Sequence, residues 1–188
     1  MCNLEPVRTK DIPYLDVLSE AFTNPLRLLL GWSLAGAPAS LMPLSLVLSY
    51  WMIGCYFMGL KRYAELRHLR AVMELARYRR VFAFYPEPGL LVSTMFYASA
   101  AMLCLGVFIV RYRLELILAF RLVATVMALY LLLAFERDSR VQAPEELYRE
   151  PKLLIAVALC AATMTFLLFV DIPALATLLP PAPLPGMR

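Results

Sequence analysis

Four polar side chains lie within the first strongly apolar part of the chain: Asp16, Glu20, Asn24 and Arg27. Their spacings of four, four and three residues place them along one face of a helix. Ionisable groups are costly against lipid, so this face must turn towards protein or water. The stripe predicts either a polar cavity that runs inward from one mouth of a helix bundle, or an internal contact in which Arg27 bonds a neighbouring helix.

A second charged group stands at the end of the next apolar segment, where Lys61 and Arg62 are followed by Glu65. Both cations can hold phosphate oxygens, and the planar Arg guanidinium can do so with two parallel hydrogen bonds. Glu65 follows Lys61 by four residues and would orient it. A Lys-Arg pair in this position is also typical of a topology anchor at a membrane surface, and composition alone favours the anchor.

Motifs for metal-dependent or nucleophilic catalysis are absent from the sequence. There is no Gly-rich phosphate loop, no H-E-x-x-H and no G-x-S-x-G. No two closely spaced aspartates lie in a loop where they would hold Mg²⁺ on a diphosphate. The single histidine, His68, and four scattered cysteines have no metal-ligand spacing. We therefore predict no catalytic residue, no metal site and no cofactor on this chain.

The composition indicates a polytopic membrane protein that must position these groups. Of 188 residues, 62% are hydrophobic and 17% charged, and the mean hydropathy is +0.70. A soluble domain of this size has too little interior for so much apolar surface, and the same figures exclude disordered, collagen-like and disulfide-rich chains. A span needs about 20 mainly apolar residues in a helix. Five segments qualify, which predicts an all-α membrane bundle: 14–36, 40–60, 89–110, 114–135 and 153–170.

The distribution of Lys and Arg predicts the orientation. Thirteen of these residues lie before the first span, after the second and before the fifth, against three on the opposite side. The positive-inside rule then places the N-terminus in the cytoplasm and the C-terminus outside, and it accounts for the net charge of +4 without a nucleic-acid partner. The predicted order begins with a cytosolic N-terminus (1–13), two spans (14–60) and a cytosolic amphipathic helix (61–88). Three further spans (89–170) and a Pro-rich, irregular extracytoplasmic tail (171–188) follow.

Several short segments resemble one known family. Residues 10–18 (KDIPYLDVL) and 25–27 (PLR) are similar to the start of the fifth helix in the UbiA-type intramembrane prenyltransferases. Residues 59–66 (GLKRYAEL) resemble the G-K-R-x-A-E-L motif of decaprenyl-phosphate phosphoribosyltransferases, the closest subgroup, with Leu60 as an additional residue. Residues 144–147 (PEEL) match the loop before the last helix. The resemblance covers residues 8–170 and the C-terminal half of that fold.

The resemblance implies roles for five residues. Lys61, Arg62 and Glu65 would belong to a substrate-binding motif at the cytosolic mouth, and Asp16 and Arg27 would face the central cavity. It also implies a bacterial inner membrane and a polyprenyl lipid as partner. The family's N-D-x-x-D motif lies in N-terminal helices to which nothing here corresponds, and Leu129 stands where an arginine is expected. Mg²⁺ would therefore bind only if another chain supplied that motif.

Two functions follow from these observations. The first is a non-catalytic half of a UbiA-like fold that acts as a structural or accessory subunit among other integral membrane subunits in the lipid bilayer. The alternative is the C-terminal half of a split transferase, which moves a phosphoribosyl or prenyl group with a partner that provides the aspartates. A truncated reading frame of a full-length enzyme is a third and weaker explanation.

Overall fold

The computed structural model of the chain describes residues 14–36, 38, 42–71, 87–136, 147 and 149–178. Every regular element within these residues is helical, so the predicted all-α class is confirmed. Those described from end to end are seven α-helices and a 3₁₀ helix: α1 Leu15–Ala21, α2 Thr23–Leu34, α3 Leu44–Ala71, α4 Glu87–Tyr112, the 3₁₀ helix Leu114–Ala119, α5 Phe120–Ala134, α6 Pro151–Phe169 and α7 Pro173–Leu178.

Four helical segments within the described residues are long and apolar enough to cross a membrane: Leu44–His68, Glu87–Tyr112, Leu114–Ala134 and Pro151–Phe169. They correspond to the last four predicted spans. Their length and composition support an integral membrane protein, because a helix of about 20 apolar residues matches the hydrocarbon thickness of a bilayer. Consecutive spans run in opposite directions, so that α3, α4, α5 and α6 form an up-and-down bundle.

The first predicted span, 14–36, differs from this pattern. The structure divides it into α1 and α2, with a break at Phe22, and neither helix is long enough to span a bilayer alone. Pro25 explains the position of the break, since proline has no N–H to donate to the carbonyl of Ala21, four residues earlier. The prediction of five spans is therefore not confirmed, although the segment is helical on both sides of the break.

The helix boundary predicted at residue 61 is absent. α3 continues without interruption from Leu44 to Ala71, so the first part of the predicted amphipathic helix prolongs the second predicted span. Of the remainder of that prediction, residues 72–86 lie outside the described residues, and residues 87 and 88 begin α4. Pro173 opens the six-residue helix α7 where the sequence predicted an irregular tail, because proline is well accommodated in the first turn of a helix.

The most extensive helix–helix packing joins α3 and α4. Gly59 of α3 faces Thr94 of α4, and a Cβ added at Gly59 would lie 2.7 Å from the Thr94 Oγ1 atom. Small residues at such contacts allow membrane helices to approach closely. Ser49 Oγ also donates a hydrogen bond to the Ala101 carbonyl at 3.2 Å. The core around this contact contains Val17, Cys55, Tyr56, Leu60, Leu66, Leu90, Tyr97 and Met127.

A buried hydrogen bond connects α3 to α5. The Tyr56 hydroxyl donates to the Met127 carbonyl at 2.7 Å. Replacing Tyr56 with Phe should lower the free energy of unfolding in mixed micelles by about 0.6 kcal/mol and by at most about 1.7 kcal/mol, the average and the maximum for hydrogen bonds between membrane helices. Tyr50, whose exposed fraction is 43%, is the matched control, and Tyr50→Phe should change it by less than about 0.5 kcal/mol. Equal losses in the two variants would contradict this assignment.

Candidate ionic site at the junction of α1 and α3

One arginine on α3 contacts three carboxylates. Arg62 is 4% exposed, and its Nε atom lies 3.3 Å from Asp16 Oδ2. Its Nη1 atom donates to Glu65 Oε2 at 2.9 Å, and its Nη2 atom donates to Glu20 Oε2. We call these four residues the Arg62 cluster.

The local helix geometry positions each member. Asp16 and Glu20 are one turn apart on α1, so both side chains lie on the face that packs against α3. Glu65 follows Arg62 by three residues on α3, a spacing at which helical side chains meet. Asp16 is 1% exposed, and its Oδ1 atom accepts a hydrogen bond from the Val17 N–H at 2.8 Å. The cluster is therefore a cross-link between α1 and α3.

The electrostatics of the Arg62 cluster disfavour an anionic ligand. The guanidinium has five N–H groups in a planar fork. Its Nη1 and Nη2 atoms donate to Glu65 and Glu20, and its Nε atom lies within salt-bridge distance of Asp16, so carboxylates outnumber the cation within the cluster. A phosphate that approached this buried guanidinium would be repelled by the three neighbouring carboxylates. The arrangement is suited to fastening two helices in a low-dielectric environment.

The same end of the bundle carries further polar contacts that reach α4 and α5. The Tyr63 hydroxyl lies 3.3 Å from Glu87 Oε1, to which it donates. The Arg67 Nη1 atom donates to the Phe135 carbonyl at 2.9 Å, and its guanidinium lies 5.9 Å from the centre of the Tyr63 ring. This end of α3 is thus connected to three neighbouring helices by directional interactions.

The five residues predicted as a binding site are only partly brought together. Asp16, Arg62 and Glu65 are members of one cluster. Lys61 is half-buried beside it but does not belong to it, and Arg27 is exposed on α2. Glu20 belongs to the cluster although it was not predicted as a site residue. Its spacing of four residues from Asp16 is the signal that identifies it.

A cavity of about 590 Å³ lies beside α1, with apolar and aromatic walls contributed by α1, α3 and α4. Its lining residues are Tyr14, Leu18, Met52, Gly89, Val92, Ser93, Phe96 and Tyr97. No member of the Arg62 cluster lines it. The charged residues therefore pack between helices and do not form the wall of this cavity. Within the described residues, no three His, Cys, Asp or Glu side chains are arranged to hold a metal ion.

Comparison of this chain with protein-family models, with curated proteins and with solved structures found no match. The resemblance to the UbiA-type prenyltransferases therefore stays a prediction from the short segments quoted above. What the site does must be inferred from its own geometry. That geometry defines a membrane helix bundle with a buried ionic cross-link at one end.

Proposed function

We propose that this chain is a non-catalytic membrane helix bundle that acts as a structural or accessory subunit of a larger membrane complex. The observation that carries the proposal is the Arg62 cluster, in which three carboxylates already engage the guanidinium. A transferase that binds a phosphorylated lipid needs free cationic donors at its mouth. Arg62, the residue best suited to that role, is instead used to connect α1 and α3.

The outer helix α6 supports the same proposal. It packs against α5 and the 3₁₀ helix, and Leu153 and Leu167 are its only buried side chains. Large apolar residues on the remaining surface, among them Ile155 and Phe166, are 66% and 63% exposed. Such a surface contacts lipid or the helices of another subunit. In the proposed complex, α6 forms part of the contact with a partner.

The proposed complex has a defined membrane setting. We infer a bacterial inner membrane, with the Arg62 cluster at the cytoplasmic end and the C-terminus outside. The support for this orientation is the excess of Lys and Arg in the segments on the cluster side.

The test uses site-specific photo-crosslinking in the native membrane. A photoreactive amino acid at position 166, on the exposed face of α6, should cross-link to another integral membrane protein, which should also co-purify with the full chain. Position 167 is the matched control, because Leu167 is buried against the chain's own core and should give no intermolecular product. Purification of a free monomer, together with cross-links from position 166 to lipid only, would contradict the proposal.

The alternative is the C-terminal half of a split transferase for polyprenyl phosphate. Its support is that Asp16, Arg62 and Glu65, three of the five residues implied by the resemblance, lie in one cluster. Co-expression with a partner that carries an Asp-rich motif should then produce Mg²⁺-dependent group transfer. That activity should be lost in Lys61→Ala, whose side chain takes no part in the cluster. No transfer by the reconstituted pair would exclude this alternative.

A further inference from the structure

The end of the bundle opposite the Arg62 cluster also carries arginines. Arg113 Nη1 contacts Asp171 Oδ1 at 2.6 Å, and its Nη2 atom donates to the Leu168 carbonyl. The guanidinium of Arg111 lies 5.9 Å from the centre of the Tyr112 ring. Both of these arginines therefore have partners in the chain, at or beyond the end of α4.

Arg121 is different. It is an exposed residue in the first turn of α5, inside the candidate span Leu114–Ala134. Among the residues that the structure describes, its guanidinium forms no ion pair, and Glu115 is not within salt-bridge distance. Its backbone carbonyl accepts a hydrogen bond from the Thr125 hydroxyl at 2.8 Å, which leaves the side chain unaffected.

The Arg121 side chain lines a cleft of about 570 Å³ between α6 and the segment formed by the 3₁₀ helix and α5. The other lining residues are Ile117, Leu118, Leu122, Leu159 and Thr163. The volume lies within the range of about 300–1,000 Å³ that is usual for small-molecule sites. The cleft thus combines one cation and one hydroxyl with walls of leucine and isoleucine.

Placing an arginine within an apolar span is unfavourable unless an anion or water reaches it. At the rise of 3₁₀ and α-helices, Arg121 lies about 13 Å below the start of its span. Long side chains on a helix lean towards its N-terminus, which for α5 is the nearer membrane surface. We therefore expect the guanidinium to extend from the cleft towards the headgroup layer, by snorkelling.

We propose that this cleft binds a membrane phospholipid, with its phosphodiester paired to Arg121 and one acyl chain lying along Leu118, Leu122 and Leu159. The guanidinium fork can make two parallel hydrogen bonds to phosphate oxygens, and the Thr163 hydroxyl can donate a third. The apolar walls distinguish a lipid from free phosphate, because free phosphate gains nothing from burying leucine side chains. The site is independent of the proposed accessory function.

The test is native mass spectrometry of the full chain released from detergent micelles, with a titration of phosphatidylglycerol. We expect one tightly retained lipid, no retention of diacylglycerol, which lacks the phosphate, and no displacement of lipid by inorganic phosphate. Arg121→Gln should weaken retention about tenfold, the value of one charge-assisted hydrogen bond. Arg111→Gln, at the same end of the bundle, should leave retention unchanged.

A second variant tests the apolar part of the site. Leu159 is 53% exposed in the cleft, so Leu159→Trp should fill the acyl-chain position without disturbing the core, and it should also weaken retention. Thermal unfolding of each variant checks that the bundle is intact. Any one of four results would overturn the proposal. Arg121→Gln could retain the lipid as well as the parent chain does, or diacylglycerol could bind equally well. Inorganic phosphate could displace the lipid, or position 121 could cross-link to a protein carboxylate.

Discussion

Replacing Arg62 with Met should lower the free energy of unfolding by about 3–5 kcal/mol, the cost of removing one partner from a buried ion pair. The reason is that Asp16, 1% exposed, would retain a buried charge without its main counter-charge. Arg62→Lys should recover only part of the loss, because one ammonium group cannot reproduce a planar fork that reaches three carboxylates.

Trp51 provides the measurement. Its indole Nε1 atom donates to the Leu18 carbonyl at 3.2 Å, so its fluorescence reports whether α1 is packed on α3. Unfolding would be followed in mixed micelles, and every variant would also carry Trp32→Phe, so that Trp51 is the only tryptophan in the chain. Lys61→Met is the matched control, since it removes a neighbouring cation outside the Arg62 cluster, and it should change stability by less than about 0.5 kcal/mol.

A double variant separates the charge effect from packing. Adding Asp16→Asn to Arg62→Met removes the buried carboxylate that the single variant leaves behind, so it should restore stability relative to that variant. If Arg62→Met is no less stable than Lys61→Met, or if Asp16→Asn makes it worse, the cluster is not an ionic cross-link between α1 and α3.

Replacing Gly59 with Ala should lower the free energy of unfolding by about 1–3 kcal/mol, the usual cost of overpacking a well-packed core. The added methyl group would meet Thr94 Oγ1 at 2.7 Å, and Thr94 is fully buried. The Thr94 side chain is β-branched and its hydroxyl is hydrogen-bonded to the Leu90 carbonyl at 2.7 Å, so it has little freedom to move away. Separation of α3 and α4 is the remaining way to relieve the contact.

Gly106 is the matched control for this substitution. It also lies within a candidate span, on α4, but a Cβ added there would meet no atom within 4 Å. Gly106→Ala should therefore be neutral or slightly stabilising, because alanine has the higher helix propensity. The same unfolding measurement applies to both variants. A similar change in the two would show that the effect of Gly59→Ala comes from the backbone and not from Thr94.

The sequence was most informative where the physical requirement is local. About 20 apolar residues are enough to define a span, so the segments that form α4, α5 with its 3₁₀ helix, and α6 were predicted within a few residues, whereas α3 continues eleven residues beyond its predicted end at residue 60. The prediction of a span over residues 14–36 failed because it also relied on apolar composition alone. Average hydropathy takes no account of missing backbone hydrogen-bond donors. Pro25 interrupts that segment whatever its composition.

The candidate site was predictable only in part. Helical spacing placed Asp16 and Glu20 on one face, and this was correct. Spacing does not indicate which helix that face meets. Only the structure could therefore identify Arg62 as the common partner of three carboxylates. Arg27 had the same periodicity and is exposed, because the break at Phe22 separates α2 from the helix that carries the cluster.

The uninterrupted course of α3 has a mechanical consequence. At 28 residues it is about 42 Å long, against about 30 Å of hydrocarbon in a typical bilayer. Arg62 lies about 27 Å along α3 from its first residue, close to the boundary between the acyl chains and the headgroups. A thicker membrane would place the Arg62 cluster within the hydrocarbon region, and a thinner one would expose it to water. The strength of the ionic contact between α1 and α3 therefore depends on the thickness of the surrounding bilayer.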